Sequence, residues 1–260
     1  MSGKLGTLLW FLKRPRLYPH MMHLVSLKLS PSSHVMEDTG EEALELCEGL
    51  AVDTDTALEQ LTGGPAPTPF RNLHSDYFES AERTAGECPM EMGGPGNLDL
   101  LYWCAEYLKA SKVIETGVAY GWSSLSILLS LKNRPGSQLI SSDMPYRNRN
   151  GEKYVGCIVP EDIRSNWRIL DYADRQAVPR ALKTLDTIDM CHYDSDKSYD
   201  GMMWAYPRLW EALRPGGFFI SDDIGDNIAF REFSKTIACD PIIVKKDDKY
   251  MGVIVKPQGN

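Results

Sequence analysis

Positive charge is in short supply in this chain. Lys and Arg number 28 against 36 Asp and Glu, a formal net charge of -8 over 260 residues. That balance argues against a nucleic-acid binder, because phosphate contacts need clustered cations; a small-molecule substrate or a neutral partner fits better. Paired cysteines are missing as well. Cys47, Cys88, Cys104, Cys157, Cys191 and Cys239 are widely spaced and form no Cys-x-x-Cys motif, so a zinc site or redox pair is disfavoured and the six are read as free thiols in a reducing cytoplasm. Long apolar runs are lacking too. The stretch at 7–12 is too short to cross a bilayer, and its positive charges follow rather than precede it with no small-residue cleavage site, which disfavours a signal peptide. No internal repeat or long low-complexity tract is visible.

What is present is ordinary for a globular protein, with 43% hydrophobic and 25% charged residues. The length suits one large α/β domain with an appendage. Residues 1–60 read as helical, and EEALELCEGLA at 41–51 has apolar positions at helical spacing. Lys13, Arg14, Arg16 and Lys28 alternate with Trp10, Phe11, Leu17 and Met21. Two readings stand: a basic amphipathic segment on a membrane surface, or a helical arm packed on its own domain or on a second subunit. The second is preferred, and it makes a homodimer a candidate. TGGPAPTP at 62–69 is a breaker cluster and the best linker, and CPMEMGGPGN at 88–97 is another. The chain therefore divides into a helical arm or cap with its linker, 1–84, and a domain over 85–260.

From residue 111 short strands alternate with helices. Strands are expected at 112–116, 137–143, 166–170, 187–194 and 216–223, with helices at 122–132, 177–185, 202–213 and 227–237. PIIVKKDDKYMGVIVK then reads as two strands joined by a polar turn. Strand–helix alternation calls for a parallel sheet covered on both faces. The closing hairpin predicts one reversed strand at an edge of this doubly wound sheet.

ETGVAYGWSS at 115–124 joins the first strand to a helix through Gly117, Ala119 and Gly121. Small residues there let the backbone turn tightly and approach a ligand. Glu115 ends the first strand and Asp143 the second, where a doubly wound domain holds ribose hydroxyls. The full G-x-G-x-x-G spacing and a P-loop Lys are absent, which disfavours a dinucleotide or a nucleoside triphosphate.

These features resemble the class I S-adenosylmethionine-dependent methyltransferases, which have an acid and a glycine-rich turn after strand one, an acid after strand two, and a seven-stranded sheet with a reversed last strand. The resemblance covers about 85–257. It implies that Glu115, Gly117, Ala119, Gly121 and Ser123 belong to the turn that holds the cofactor, with Gly117 and Gly121 along its methionine part. It further implies that Asp143 binds the ribose and that Asp174, in DYADR, meets the adenine. Ala119 departs from the family's middle glycine.

HYDSDKSYDG at 192–201 follows the fourth strand, and Asp222 and Asp223 close the fifth. Carboxyl ends of neighbouring strands face one crevice, about 4.8 Å apart from strand to strand. Three carboxylates there repel unless a cation sits among them, and hard oxygen ligands suit Mg²⁺. The arrangement resembles the metal-dependent O-methyltransferases of the catechol and caffeoyl-coenzyme A type, which carry Asp-x-x-Lys after strand four and Asp-Asn after strand five. It implies Asp194, Asp222 and Asp223 as metal ligands and Lys197 as the general base, its pKa depressed. Asp223 stands where that group has Asn; two acids in this place also occur in macrocin-like O-methyltransferases acting on sugar hydroxyls.

Asp196 is open between a turn and the site. His192 is read as a packed strand residue. Tyr146, Arg147 and Arg149 form a lid, meet an anionic group or lie in an exposed loop, and Asp226 and Asn227 cap a helix or meet substrate. The expected activity is Mg²⁺-assisted methylation of one hydroxyl of a vicinal diol or catechol-like small molecule. The alternative is a cofactor-binding or membrane-surface glycan-modifying protein without the metal mechanism.

Overall fold

A computed structural model describes residues 4–29, 39–145 and 151–258. Its centre is a seven-stranded sheet made of β1 (Lys112–Thr116), β2 (Gln138–Ser142), β3 (Trp167–Leu170), β4 (Ile188–Tyr193), β5 (Leu213–Ser221), β6 (Ile242–Lys246) and β7 (Lys249–Val255). The spatial order is β3-β2-β1-β4-β5-β7-β6. Strands β1 to β5 run parallel, and β7 is antiparallel to both β5 and β6. This is the doubly wound, mostly parallel sheet expected of a Rossmann-like methyltransferase. The central strands are buried on both faces, which explains why stretches such as VIET and MCHY, buried Glu115 and His192 included, show no alternation of buried and exposed positions.

One expectation needs correcting. The reversed strand does not lie at the edge: β7 inserts between β5 and β6. Its five central residues are all buried, whereas β6 ends in exposed Lys245 and Lys246. The more apolar strand takes the interior position, and lysines mark the edge, where they discourage pairing with another chain. The outer side of β6 is further covered at Val52, whose N–H and C=O bond Ile243 and Lys245 at 2.9 Å each.

The helices are α1 (Lys4–Leu12), α2 (Tyr18–Leu29), α3 (Gly40–Leu50), α4 (Thr54–Thr62), α5 (Phe70–Leu73), α6 (Ser75–Glu87), α7 (Leu98–Tyr107), α8 (Trp122–Leu131), α9 (Asp174–Leu185), α10 (Tyr199–Ala212) and α11 (Ala229–Thr236). One face of the sheet buries Val113, Leu139, Met190 and Phe218 against α4 to α8. The other buries Ile114, Cys191 and Phe219 against α9, α10 and α11. Leu58, Phe70 and Phe78 thus continue the sheet's own core, and Trp103 Nε1 donates to the Thr68 carbonyl at 3.0 Å, pinning the Gly/Pro stretch to α7. Helix α10 starts three residues earlier than the sequence reading because the Ser198 hydroxyl accepts the Gly201 N–H and caps it.

The arm formed by α1 and α2 packs on α9. Trp10, Phe11 and Leu17 are buried with Met21 and Tyr172. Arg14 pairs with Glu152, and Arg16 with Asp171 at 3.2 Å, so these cations are turned to carboxylates of the domain. Among the described residues no helix is long and apolar enough to cross a membrane. Tyr146, Arg147 and Arg149 lie outside the described residues.

Candidate active site

A cavity of about 970 Å³ opens at the carboxyl edge of the sheet. At one end lies the turn from β1 to α8. Gly117 has φ +82°, and a Cβ there would stand 1.9 Å from the Asp194 carbonyl oxygen. Gly121 has φ +98°, with a Cβ position 3.0 Å from the Cα of Gly156. The end of β4 and the segment around Gly156 therefore crowd the turn, and only glycine fits both places. Ala119 also adopts a left-handed conformation, φ +49°, where the family's glycine would be unstrained.

Asp143 braces this turn. Its Oδ2 accepts the N–H groups of Val118 and Ala119 at 2.9 and 2.8 Å. Burial pushes its carboxyl up to about 6 in spite of those two bonds. Asp143, Gly117, Ala119 and Ser123 all border the cavity. Glu115 lies behind them, fully buried, with Oε2 accepting from Ser124 and Ser141 at 2.5 and 2.6 Å. Asp174 borders the cavity at the first turn of α9, accepting from the Ser195 and Tyr193 hydroxyls at 2.6 and 3.3 Å.

At the other end β4 and β5 deliver their acids. Ligand atoms of His192, Asp194 and Asp222 lie within 4.8 Å of one another, and all three residues border the cavity. Asp223 takes a different course. Its backbone is left-handed, φ +50°, and its carboxylate pairs with Lys197 and, at 3.2 Å, with Lys249. Asp196 belongs to the turn before α10: its Oδ1 accepts the Ser198 N–H at 3.1 Å and hydroxyl at 2.7 Å. Asn227 accepts the Ala229 N–H and donates to the Lys197 carbonyl at 2.8 Å, fixing the lysine's backbone. The roof comes from the loop Met92–Asn97, from His20, His23 and Leu27 of α2, and from the β6–β7 turn.

Residues 114–224 match a family model described as "Methyltransferase domain". These residues form a methyltransferase domain. No curated protein matches the chain in sequence. Among solved structures, an O-methyltransferase from Bacillus cereus in complex with SAH superimposes with a TM-score of 0.55 at 14% identity, over 81% of this chain and 100% of that one. A putative caffeoyl-CoA O-methyltransferase from Staphylococcus aureus gives 0.55 at 14% identity, over 71% and 96%. The O-methyltransferase TomG from Streptomyces achromogenes, in complex with SAM, gives 0.50 at 18% identity, over 83% and 96%. Likeness at these identities establishes the class I methyltransferase fold.

Electrostatics divide the acids of the methyltransferase into two kinds. Burial, and then the neighbouring Asp222, pushes Asp194 up to about 7; burial raises Asp222 likewise. Burial would raise Asp223 too, but Lys197 and Lys249 overcome it and hold its carboxyl below the ordinary range. The same pair works on Lys197: burial favours the neutral amine, yet Asp223 wins and the lysine's pKa is raised. This is the reverse of the depressed value expected from sequence. His192 and Lys249 are the residues the sequence reading did not bring to the site. The first had a signal, since Met190, His192 and Asp194 share one face of β4 by the two-residue period. Lys249 had none, because it arrives from the far hairpin.

Proposed function

We propose that this methyltransferase moves the methyl group of S-adenosylmethionine to one hydroxyl of a small molecule that carries two adjacent oxygens, with a divalent cation such as Mg²⁺ assisting. The observation that carries this reading is the single cavity that joins the braced glycine turn at one end to Asp194, Asp222 and Lys197 at the other. The cofactor's methionine part would lie along Gly117, which borders the cavity, while Gly121, packed against Val159 and Gly156 and not bordering it, would shape the turn. Asp143, with Oδ2 occupied by the turn, would offer Oδ1 to a ribose hydroxyl, and Asp174 would close the adenine side.

The donor set suits a hard or borderline dication. Asp194 and Asp222 face each other with raised pKa values, so each ionised carboxylate is stabilised by added positive charge. A bound cation would supply a lowered hydroxyl pKa and a two-point hold on the acceptor. The remaining work falls to the protein: in-line placement of the oxygen against the sulfonium methyl, where orientation is the large factor, and removal of the hydroxyl proton. We assign that proton to Lys197 Nζ. Paired with Asp223 the lysine is an ammonium. Before it can accept that proton it must release one of its own to solvent, which requires the ion pair to loosen and the bound cation's positive charge to favour the neutral amine.

Methyl transfer measured over catechols, flavonoids and sugar nucleotides tests the reading. Turnover is expected with at least one acceptor bearing neighbouring hydroxyls and is expected to stop on chelation by EDTA. Lys197→Ala and Lys197→Arg should each lower kcat by about a hundredfold or more with cofactor affinity kept, because neither can take a proton. Activity surviving in Lys197→Arg would reduce the lysine to a positioning charge. Undiminished turnover in EDTA would sink the metal's role.

A further inference from the structure

Glu115 and His192 stand side by side in register on β1 and β4, and both are fully buried. Glu115 Oε2 is satisfied by two serines, but Oε1 has no hydrogen-bond partner, and neither has either ring nitrogen of His192. Nδ1 lies 3.9 Å from Oε1, too long for a hydrogen bond. Buried polar atoms without partners are rare in folded proteins and ask for an explanation. A ring nitrogen of the imidazole also lies within 4.8 Å of ligand atoms of Asp194 and Asp222, and the residue borders the cavity. A carboxylate, an imidazole and two further carboxylates therefore follow one another from the core to open space.

We infer that His192 is itself a ligand of the divalent cation, together with Asp194 and Asp222, and that Glu115 is the buried acceptor fixing its tautomer. The inference rests on the metal-assisted reading above and changes its terms. Carboxylate behind imidazole behind metal is a recurrent arrangement: the outer acid orients the ring and raises its basicity. Asp223, expected from sequence as the third ligand, is instead committed to Lys197 and Lys249. Charge agrees with this division. Glu115, Asp194, Asp222, Asp223 and the nearby Asp226 outnumber the ammonium groups of Lys197 and Lys249, an excess of negative charge that a cation would offset. Two carboxylates and one imidazole also leave coordination positions open to water and to a chelating acceptor. A nitrogen donor shifts preference away from Mg²⁺ toward Mn²⁺, Fe²⁺ or Co²⁺.

The test uses the full chain stripped of metal and titrated with Mn²⁺ and, separately, Mg²⁺, with binding followed by calorimetry and bound Mn²⁺ examined by pulsed electron paramagnetic resonance. Mn²⁺ is expected to bind roughly tenfold or more tightly than Mg²⁺ and to show coupling to a ligand nitrogen. His192→Gln should abolish the coupling, and Glu115→Gln should weaken Mn²⁺ binding by about ten- to a hundredfold. His20 and His23 also border the cavity, so the double variant His20→Gln/His23→Gln should keep the coupling. Should His192→Gln fail to fold, that double variant and ¹⁵N-histidine labelling of the wild type still decide the question. Bound Mn²⁺ without nitrogen coupling would overturn the inference and leave the two-carboxylate reading in place. Failure to bind any of these cations, with methyl transfer intact in chelator, would overturn both and make His192 a buried imidazolium paired with the acids.

Discussion

Gly117 carries the tightest constraint on any single residue of the site. A methyl group at this position would stand 1.9 Å from a backbone oxygen of Asp194, and the residue's φ of +82° is one that L side chains rarely adopt. Neither the clash nor the strain can be relieved by rotating a side chain. Gly117→Ala is therefore expected to cost about 3 kcal/mol or more in stability and to abolish cofactor binding, measured by urea unfolding and by calorimetric titration with S-adenosylhomocysteine. Gly121→Ala should be milder though still costly, because its φ of +98° strains any L residue and the Gly156 Cα stands at 3.0 Å, but the closest neighbour is a Val159 methyl at 2.9 Å that can yield. Equal damage from the two would refute this ranking. Asp222 and Asp223 make the same point about neighbours in sequence: one turns to the cavity, the other to two lysines.

Among the elements, α7 ties the helical N-terminal part to the cavity. Asn97 caps it, accepting the Leu100 N–H at 3.2 Å, while its amide donates to Thr54 Oγ1 of α4 at 3.0 Å. The residue is only 2% exposed, so losing it unpairs the half-buried Thr54 hydroxyl as well as a helix end. Asn97→Ala should lower stability by about 2 kcal/mol, and Asn97→Asp, which keeps the cap but loses the donor, by about half of that. Thermal unfolding with both variants checks the division; identical losses would show that the cap carries nothing. The arm α1–α2 acts at the same scale. It meets the domain through a small apolar cluster and two ion pairs, and it brings His20, His23 and Leu27 over the cavity.

For the molecule as a whole, the buried acids set a pH dependence. Asp143 and Asp194 are raised from 3.8 to about 6 and about 7. A folded-state value above the unfolded one means that the native protein binds protons more tightly, so stability falls as pH rises between the two values. In metal-free protein the penalty is absent below about pH 4, grows through the window up to about 7 and is complete above it. The Tm of the stripped protein should accordingly fall more steeply between about pH 5 and 7.5 in the wild type than in Asp194→Asn, which has no carboxyl to ionise there. Parallel slopes for the two proteins would contradict the assignment. Saturating divalent cation should flatten the wild-type curve, since added positive charge removes the cost of ionisation.

The sequence alone determined the sheet, the glycine turn and the positions of the acids at strand ends, because each is written in local pattern. Strand–helix alternation fixes a parallel sheet, and small residues between a strand and a helix mark the turn; the strand's two-residue period also holds a signal that sets His192 on the face of Asp194, although the residue was read as a packed one. What the tertiary structure decided is which groups meet. Strand order placed β7 inside β6, and the β6–β7 turn then carried Lys249 to Asp223, an encounter between residues far apart in sequence that no spacing encodes. That contact, with Lys197, turned Asp223 from an expected ligand into the partner of two lysines, raised rather than lowered the lysine's pKa, and left His192 facing Asp194 and Asp222. The physical reason is common to all three: a charge in a buried cleft takes its state from the nearest opposite charge, and only the folded chain says which one that is.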